Sequence, residues 1–245
     1  MRVYIGIDDT DNLETRGTGF QARSLGVSLM DAGLFDLHTI TRHQLLVDRR
    51  IPFTSHNSSA GLVGETNSTT EALAMHCKEF LLRESAFDSD AGLCIAEEGL
   101  INEEIVAFGM RAKREIVTQQ DAMELANKQG IYLEGFLNTE IGVIGSLAAV
   151  GLRSAANDGR LLWMKNLRET YGVFTIDAFK KLINVERVLE VNGHEPDDQC
   201  LVNITEWCRP VMNGGFITLF VEKAQNTTIY EYQSASKEFI KSISE

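Results

Sequence analysis

Residues 3–20 read Val-Tyr-Ile-Gly-Ile-Asp-Asp-Thr-Asp-Asn-Leu-Glu-Thr-Arg-Gly-Thr-Gly-Phe. The stretch opens with a short, mostly apolar run, which predicts a buried strand. Asp8, Asp9 and Asp11 then place three carboxylates within four residues. Each ionised carboxylate raises the cost of ionising its neighbours, and a hard cation would remove that cost. Because Mg²⁺ is commonly held by one or two carboxylates and substrate phosphates, we predict that these three aspartates bind Mg²⁺ and act in catalysis.

The Gly-Thr-Gly turn that follows indicates a phosphate site. Gly17, Thr18 and Gly19 precede a run that is typical of a helix, residues 20–30. Glycines let backbone amides approach an anion, and the helix N-terminus adds a favourable partial charge. We therefore predict that these residues, together with Thr10 and Arg16, bind ATP.

The aspartate-rich stretch also fits a polar turn with helix-capping residues, which would contain several aspartates without binding a metal. The common phosphate motifs are absent, because the glycines have neither P-loop nor dinucleotide-binding spacing. An EF-hand is disfavoured because Leu13 and Glu14 stand where a ligand and a glycine belong. An aspartyl-phosphate phosphatase is a weaker alternative, since no threonine follows the Asp-x-Asp pair at the required position.

Composition limits the class of protein. The 245 residues are enough for one large or two modest domains, and the 44% hydrophobic content is typical of a globular protein. A net charge of -12 disfavours sequence-independent nucleic-acid binding, which depends on neutralising phosphates. No apolar run is long enough to span a membrane and no signal-peptide pattern is present, so we expect a cytoplasmic protein. The four cysteines are scattered, which favours free thiols over a zinc site.

Helical and strand-like periodicities alternate along the chain and predict an α/β (α+β) fold. We predict helices at residues 68–82, 102–111, 118–129, 175–184 and 234–244, and strands at residues 39–47, 91–96, 131–136, 161–166, 200–205 and 215–221. The last two strands flank an Asn-Gly-Gly turn at residues 213–215, which indicates a hairpin. A further helix starting at Asn138 contains Gly142, Gly145 and Gly151. Each glycine costs a helix about 1 kcal/mol relative to alanine, so close packing or the approach of a ligand should compensate.

Four stretches resemble the archaeal tRNA-isoleucine agmatinylcytidine synthetase family. Residues 5–11, Ile-Gly-Ile-Asp-Asp-Thr-Asp, are similar to the start of those enzymes, and residues 142–151 resemble their Gly-Val-Ile-Gly-Ala-Leu-Ala-Ala-Ile-Gly segment. Residues 51–60 and 208–214 are looser matches. Within residues 51–60, the family's Lys, Arg and two Gly are replaced by Thr54, His56, Asn57 and Ser59.

The resemblance implies an architecture and further site residues. Residues 1–133 would form a kinase-like ATP- and Mg²⁺-binding domain, and residues 134–245 a ferredoxin-like domain that takes part in binding the amine. Thr18 would be the counterpart of a threonine that accepts phosphate. His56 and Asn57 would contact ATP. The predicted substrate-binding residues are Asn138, Thr139, Gly142, Gly145 and Ser146.

We therefore expect a Mg²⁺- and ATP-dependent phosphoryl-transfer enzyme or ligase acting on a small polar or amine substrate. The family's oligonucleotide-binding barrel and zinc ribbon have no counterpart in this sequence, so a tRNA substrate is possible but disfavoured. The alternative is a non-catalytic nucleotide- or ligand-binding regulatory protein on the same scaffold, which the replaced Lys and Arg favour and the retained aspartates disfavour.

Overall fold

The computed structural model describes residues 1–54, 56–225 and 227–244. It confirms a mixed α+β fold and divides into two compact units, Met1–Ala155 and Ala156–Glu245. The division lies after the glycine-containing helix, so the predicted boundary near Glu134 falls inside the first unit. The kinase-like and ferredoxin-like assignments stay predictions.

The first unit is built on an antiparallel sheet with the strand order β5-β4-β1-β3-β2. Its strands are β1 (Arg2–Asp8), β2 (Asp36–Gln44), β3 (Ser58–Glu65), β4 (Gly92–Glu97) and β5 (Tyr132–Gly135). Its helices are α1 (Thr18–Asp31), α2 (Thr70–Glu84), α3 (Glu103–Ala112), α4 (Gln119–Gln129) and α5 (Val143–Ala155), with a 3₁₀ turn at Glu98–Leu100.

Helices cover both faces of this sheet. A Cβ at Gly61 on β3 would meet Ala149 of α5, whereas the next residue, Leu62, lies against Gly26 of α1. Successive strand residues point to opposite faces, so α5 and α1 lie on opposite sides. The core on the α5 side includes Leu147, Ala148 and Ile105, which are all fully buried. The central strand β1 is therefore covered on both faces, and its residues 3–7 are buried.

The second unit contains a mixed sheet of short strands. Its elements are β6 (Arg160–Met164), β7 (Gly172–Thr175), α6 (Ile176–Ile183), β8 (Arg187–Glu190), β9 (Leu201–Ile204), β10 (Val211–Asn213), β11 (Phe216–Lys223), β12 (Tyr232–Ser234) and α7 (Lys237–Ser244). Strand β11 pairs antiparallel with β10 and β12 and parallel with β8. Phe179 of α6 is fully buried in the core of this unit.

Most predicted helices are confirmed to within two or three residues, because their capping signals are local. Asn102, Thr118 and Thr175 each cap a helix through their side chains, and Gly130 ends α4 in the left-handed conformation. The predicted hairpin is correct in its turn but wrong in one strand. Gly214 and Gly215, at φ 59° and 89°, join β10 to β11, whereas residues 200–205 supply β9, which pairs with β7 and β12.

The glycine-containing helix starts later than predicted. Helix α5 begins at Val143, and residues 137–142 form a turn in which Leu137, Asn138 and Glu140 have positive φ. Non-glycine residues seldom adopt this conformation, and such residues are concentrated at functional sites. Within residues 51–60, which loosely resemble the family, strand β3 starts at Ser58, and Ser55 lies outside the described residues.

Candidate functional site

The first two aspartates lie at the carboxyl end of β1 and in the turn that follows it. Asp8 is the last residue of the strand, and Asp9 has φ 50°, so the chain turns sharply at that point. Aspartate tolerates this left-handed conformation better than most residues. The turn carries the chain from the covered strand toward the N-terminus of α1. Asp8 and Asp9 are both only partly exposed.

Asp11 joins three other groups through its carboxylate. Its Oδ1 accepts hydrogen bonds from the Thr18 amide at 3.1 Å and the Thr18 hydroxyl at 2.9 Å. Its Oδ2 accepts from the Thr54 hydroxyl at 3.1 Å. Asp11 therefore caps the start of α1, since Gly17 at the N-cap position has no side chain to do so. The Thr18 amide, predicted to face a phosphate, is occupied by this bond.

The glycine-containing helix approaches β1 so closely that side chains are excluded. A Cβ at Gly145 would overlap the Asp8 carboxylate, and a Cβ at Gly142 would lie 2.6 Å from the Gly92 nitrogen and 3.0 Å from the Asp8 carbonyl oxygen. Gly145 makes room for the Asp8 carboxylate and also lines a cavity beside it. Close packing against Asp8 therefore requires a glycine at this position, whether or not a ligand also approaches it.

Both aspartates at the turn are difficult to ionise. Burial, followed by the neighbouring charges of Asp9 and Asp11, raises the pKa of Asp8 to about 8. Burial and then the charges of Asp90 and Asp11 raise the pKa of Asp9 to about 6. Shifts of this kind mean that the folded protein supplies too little positive charge to balance these carboxylates. They mark a candidate functional site.

A second loop contributes Asp90, which sequence reasoning missed. Its Oδ1 accepts hydrogen bonds from the Thr139 amide at 2.5 Å and the Thr139 hydroxyl at 2.7 Å. Asn138 donates to the Ser89 carbonyl oxygen at 2.6 Å. The predicted substrate residues Asn138 and Thr139 thus brace the loop that carries Asp90. No local pattern distinguishes Asp90 in the sequence, because its role depends on where β4 starts.

A cavity of about 130 Å³, open to solvent, lies beside the aspartates. Its wall contains Asp8, Asp9, Asp11 and Thr18 together with a larger set of apolar residues. The apolar lining residues are Leu45, Ile51, Pro52, Phe53, Ala112, Ile116, Val117, Ile141 and Ile144. The lining therefore offers carboxylates to a cation and apolar side chains to an apolar part of a ligand.

The structure brings some of the predicted site residues together and not others. The cavity wall contains the three aspartates, Thr18, His56, Asn57, Gly142 and Gly145. Thr10, Arg16, Gly17, Gly19, Asn138, Thr139 and Ser146 lie outside it.

Three of these residues have roles in local structure. The Asn57 side chain donates to the Leu46 carbonyl oxygen at 2.7 Å. Ser146 is fully buried and bonds to the Val143 carbonyl oxygen, and the Arg16 guanidinium lies over the Phe20 ring. The apolar wall was missed because its residues come from four separate segments.

The donor set fits a hard cation completed by a ligand. Among the described residues, no group of three or more His, Cys, Asp or Glu side chains is arranged to hold a metal ion by itself. Both Asp11 oxygens accept hydrogen bonds from Thr18 and Thr54, whereas Asp8 and Asp9 are the carboxylates whose pKa values are raised. Mg²⁺ usually binds proteins through one or two carboxylates and takes its other ligands from water and phosphate.

The membrane and cysteine predictions have no bearing on this cavity. In the part of the chain that the structure describes, no helix is both long enough and apolar enough to cross a membrane. Cys77, Cys94 and Cys208 are buried free thiols, and Cys200 is partly exposed.

Comparison with known proteins supports the fold. No family model matches the chain. An uncharacterized protein of Methanocaldococcus jannaschii is 27% identical over 153 residues, which cover 62% of this chain and 50% of that protein.

Solved structures of TiaS, a tRNA agmatidine synthetase, share the fold. The apo enzyme matches with a TM-score of 0.55 and 22% identity, over 62% of this chain and 35% of that chain. Its complex with tRNA and ATP matches with a TM-score of 0.56 and 24% identity, over 62% of this chain and 36% of that chain. This chain therefore spans half the length of the curated relative and about a third of the structural ones.

Proposed function

We propose that this chain binds ATP together with Mg²⁺ in the cavity beside Asp8 and uses it for phosphoryl transfer or ligation. The proposal rests on one observation: the same cavity is lined by carboxylates and by apolar side chains. Two carboxylates with raised pKa values, Asp8 and Asp9, line the same cavity as a set of apolar side chains. A nucleoside triphosphate with its cation would use both, the cation at the carboxylates and the base against the apolar side chains.

The chain's own residues have distinct proposed roles. Asp8 and Asp9 would hold the cation, which when bound neutralises charge on the transferring phosphoryl group. Asp11 accepts a hydrogen bond from the Thr18 hydroxyl at 2.9 Å, so it is placed to take the proton if that hydroxyl attacks a phosphoryl group. Ile116, Val117 and Ile144 would pack against the base. Together these groups orient the triphosphate with its reacting end toward Thr18.

The similarity to TiaS suggests membership of that synthetase family and a class of acceptor. One structure of TiaS is a complex with tRNA, an ATP analogue and agmatine. A small amine is therefore our first choice of acceptor for this chain. The comparison does not support the prediction that tRNA is disfavoured, because similar structures are complexes with tRNA. Both acceptors belong in the same assay.

A non-catalytic nucleotide-binding role is the second candidate, and one observation favours it. Arg50 is the only arginine or lysine among the described residues of the cavity wall, and its guanidinium bonds to both Asp48 oxygens at 2.8 Å. A cation that is tied to its own loop is less available to stabilise a transferring phosphoryl group. Such a protein would bind ATP with Mg²⁺ without consuming it.

Calorimetry of ATP binding in EDTA and then in Mg²⁺ tests the proposal. We expect binding at least about tenfold tighter with Mg²⁺, because the cation lets Asp8 and Asp9 ionise beside the phosphates. Equal affinities in the two buffers would contradict the metal assignment, and no binding in either would contradict the nucleotide assignment.

Turnover decides between the two candidates. ADP or AMP release would be followed with agmatine, other amines and tRNA as acceptors. Release above the no-acceptor rate indicates the enzyme, whereas tight binding without release under every condition indicates the non-catalytic role.

A further inference from the structure

The described residues of the segment between β2 and β3, 45–54 and 56–57, include eight that form one wall of the cavity. Hydrogen bonds from backbone and side-chain groups fix the two ends of this segment. The Leu45 amide donates to the Asn57 carbonyl oxygen at 2.8 Å, and the Gln44 side chain donates to the same oxygen at 2.7 Å. The Leu46 amide donates to the Ala112 carbonyl oxygen at 3.0 Å. The two ends of the segment are therefore anchored on the sheet and on the end of α3.

The middle of the segment carries the apolar wall and has a local turn of its own. The Ile51 amide donates to the Asp48 carbonyl oxygen at 3.0 Å, and Arg50 pairs with the Asp48 carboxylate. These bonds shape the turn without attaching it to another element. Pro52 and Phe53 are exposed although they line the cavity, so packing alone holds this part weakly.

Thr54 connects this wall to the aspartates. Its hydroxyl donates to Asp11 Oδ2 at 3.1 Å, while Asp11 Oδ1 accepts from Thr18 at the start of α1. The Asp11 carboxylate thus connects the N-terminus of α1 to the wall segment. A hydrogen bond to a carboxylate is stronger than one between neutral groups, so this link is able to position the segment.

We propose that Thr54 is a positioning residue that sets the specificity of the site for nucleosides. Through its bond to Asp11 it holds residues 51–53 against the cavity, where they would contact the base of the bound nucleotide. The inference deepens the proposed function and rests on it. In this proposal the Thr54 hydroxyl positions the wall that contacts the base and does not contact the triphosphate.

The test compares Thr54→Val, which keeps the shape and removes the donor, with Thr54→Ser, which keeps the donor. Thr205→Val is the matched control, because it removes a hydroxyl bonded to Ser234 at 2.8 Å in the second unit. One measurement is hydrogen exchange of residues 46–54 in nucleotide-free protein. The other is the affinity, with Mg²⁺ present, for ATP and for inorganic tripolyphosphate.

We expect Thr54→Val to speed exchange of residues 46–54 and to weaken ATP binding by about tenfold, which corresponds to a lost hydrogen bond to a charged group. Tripolyphosphate affinity should stay unchanged, because this ligand has no base to contact the wall. Thr54→Ser should restore exchange and ATP affinity, and Thr205→Val should change neither.

Unchanged exchange in Thr54→Val would overturn the positioning role, and an equal loss for both ligands would show that Thr54 acts on the phosphate end instead. A Thr54→Ser protein that behaves like Thr54→Val would also overturn it. If wild-type protein bound neither ligand, the proposed function would be refuted. The exchange data would then still show whether the Thr54 bond to Asp11 holds residues 46–54 in place.

Discussion

Asp8 is the last residue of β1 and Glu190 is the last residue of β8, so each carboxylate stands at the end of a strand in its own unit. Glu190 is only 6% exposed, yet its carboxylate accepts hydrogen bonds from Tyr232 at 3.0 Å and Asn192 at 3.2 Å. His194 Nδ1 lies 3.2 Å from the same carboxylate. Asp8 instead has two further aspartates beside it.

The pKa values show the consequence of this difference. Burial acts to raise the pKa of Glu190, but the bond from Tyr232, the nearby charges of Lys223 and His194, and the bond from Asn192 leave it lowered. The pKa of Asp8 is raised to about 8. A strand-end carboxylate that finds its partners within the fold stabilises that fold. A strand-end carboxylate without such partners is available to bind a cation from solution, which is why we place the ligand at Asp8.

The largest expected difference between the two regions is in ligand binding. Asp9→Asn should weaken Mg²⁺-dependent ATP binding by about 100-fold, because loss of a metal ligand costs at least as much as loss of a group that orients one. Glu190→Gln, the matched change in the other unit, should leave ATP affinity unaltered while lowering the melting temperature. Calorimetry and thermal unfolding of both variants check this. Equal losses of ATP affinity would remove the distinction between the two carboxylates.

A smaller effect is expected from crowding the Asp8 carboxylate. Gly145→Ala places a methyl group on that carboxylate, whereas Gly99→Ala meets no atom within 4 Å. We expect Gly145→Ala to lower the free energy of unfolding by about 1–3 kcal/mol through overpacking. It should also weaken ATP binding, measured by calorimetry and normalised to folded protein. Destabilisation with wild-type ATP affinity would mean that Gly145 serves packing alone.

The smallest effect is the pH dependence, which should have opposite signs in the two regions. Between its ordinary pKa and about 8, folded Asp8 holds a proton that the unfolded chain has lost. The free energy of unfolding in EDTA should therefore fall as the pH rises through about 6 and then about 8, the pKa values of Asp9 and Asp8. The lowered pKa of Glu190 has the reverse effect, so its contribution is lost as the pH falls through that pKa.

Melting temperatures in EDTA from about pH 3 to about pH 9 measure both slopes. Asp8→Asn should flatten the alkaline slope and Glu190→Gln the acid one. Mg²⁺ should also flatten the alkaline slope, because bound carboxylates must be ionised. A wild-type protein whose stability rises with pH up to about 9 would contradict the raised pKa values.

Local features of the fold were predictable because their causes are local. The apolar run before Asp8 identified β1, and Asn102, Thr118 and Thr175 marked helix starts through caps that act within three residues. The late start of α5 was not predictable, since the turn before it is held by Asp90, far away in sequence. The predicted strand pairing in the second unit was wrong for a similar reason. Turn residues do not specify which strand becomes the neighbour of another in a sheet.

The order of the residues is enough to show that three carboxylates follow a buried strand and precede a helix. Neighbouring residues are enough to establish that order and the charge it concentrates. Which of these carboxylates obtain hydrogen-bond partners depends on the three-dimensional fold. Asp11 obtains its bonds from Thr18 and Thr54, whereas Asp8 lies against Gly145 with no partner of opposite charge among the causes of its pKa shift. Hydrogen bonds and desolvation depend on atoms brought together from distant segments, and those distances are absent from the order of the residues.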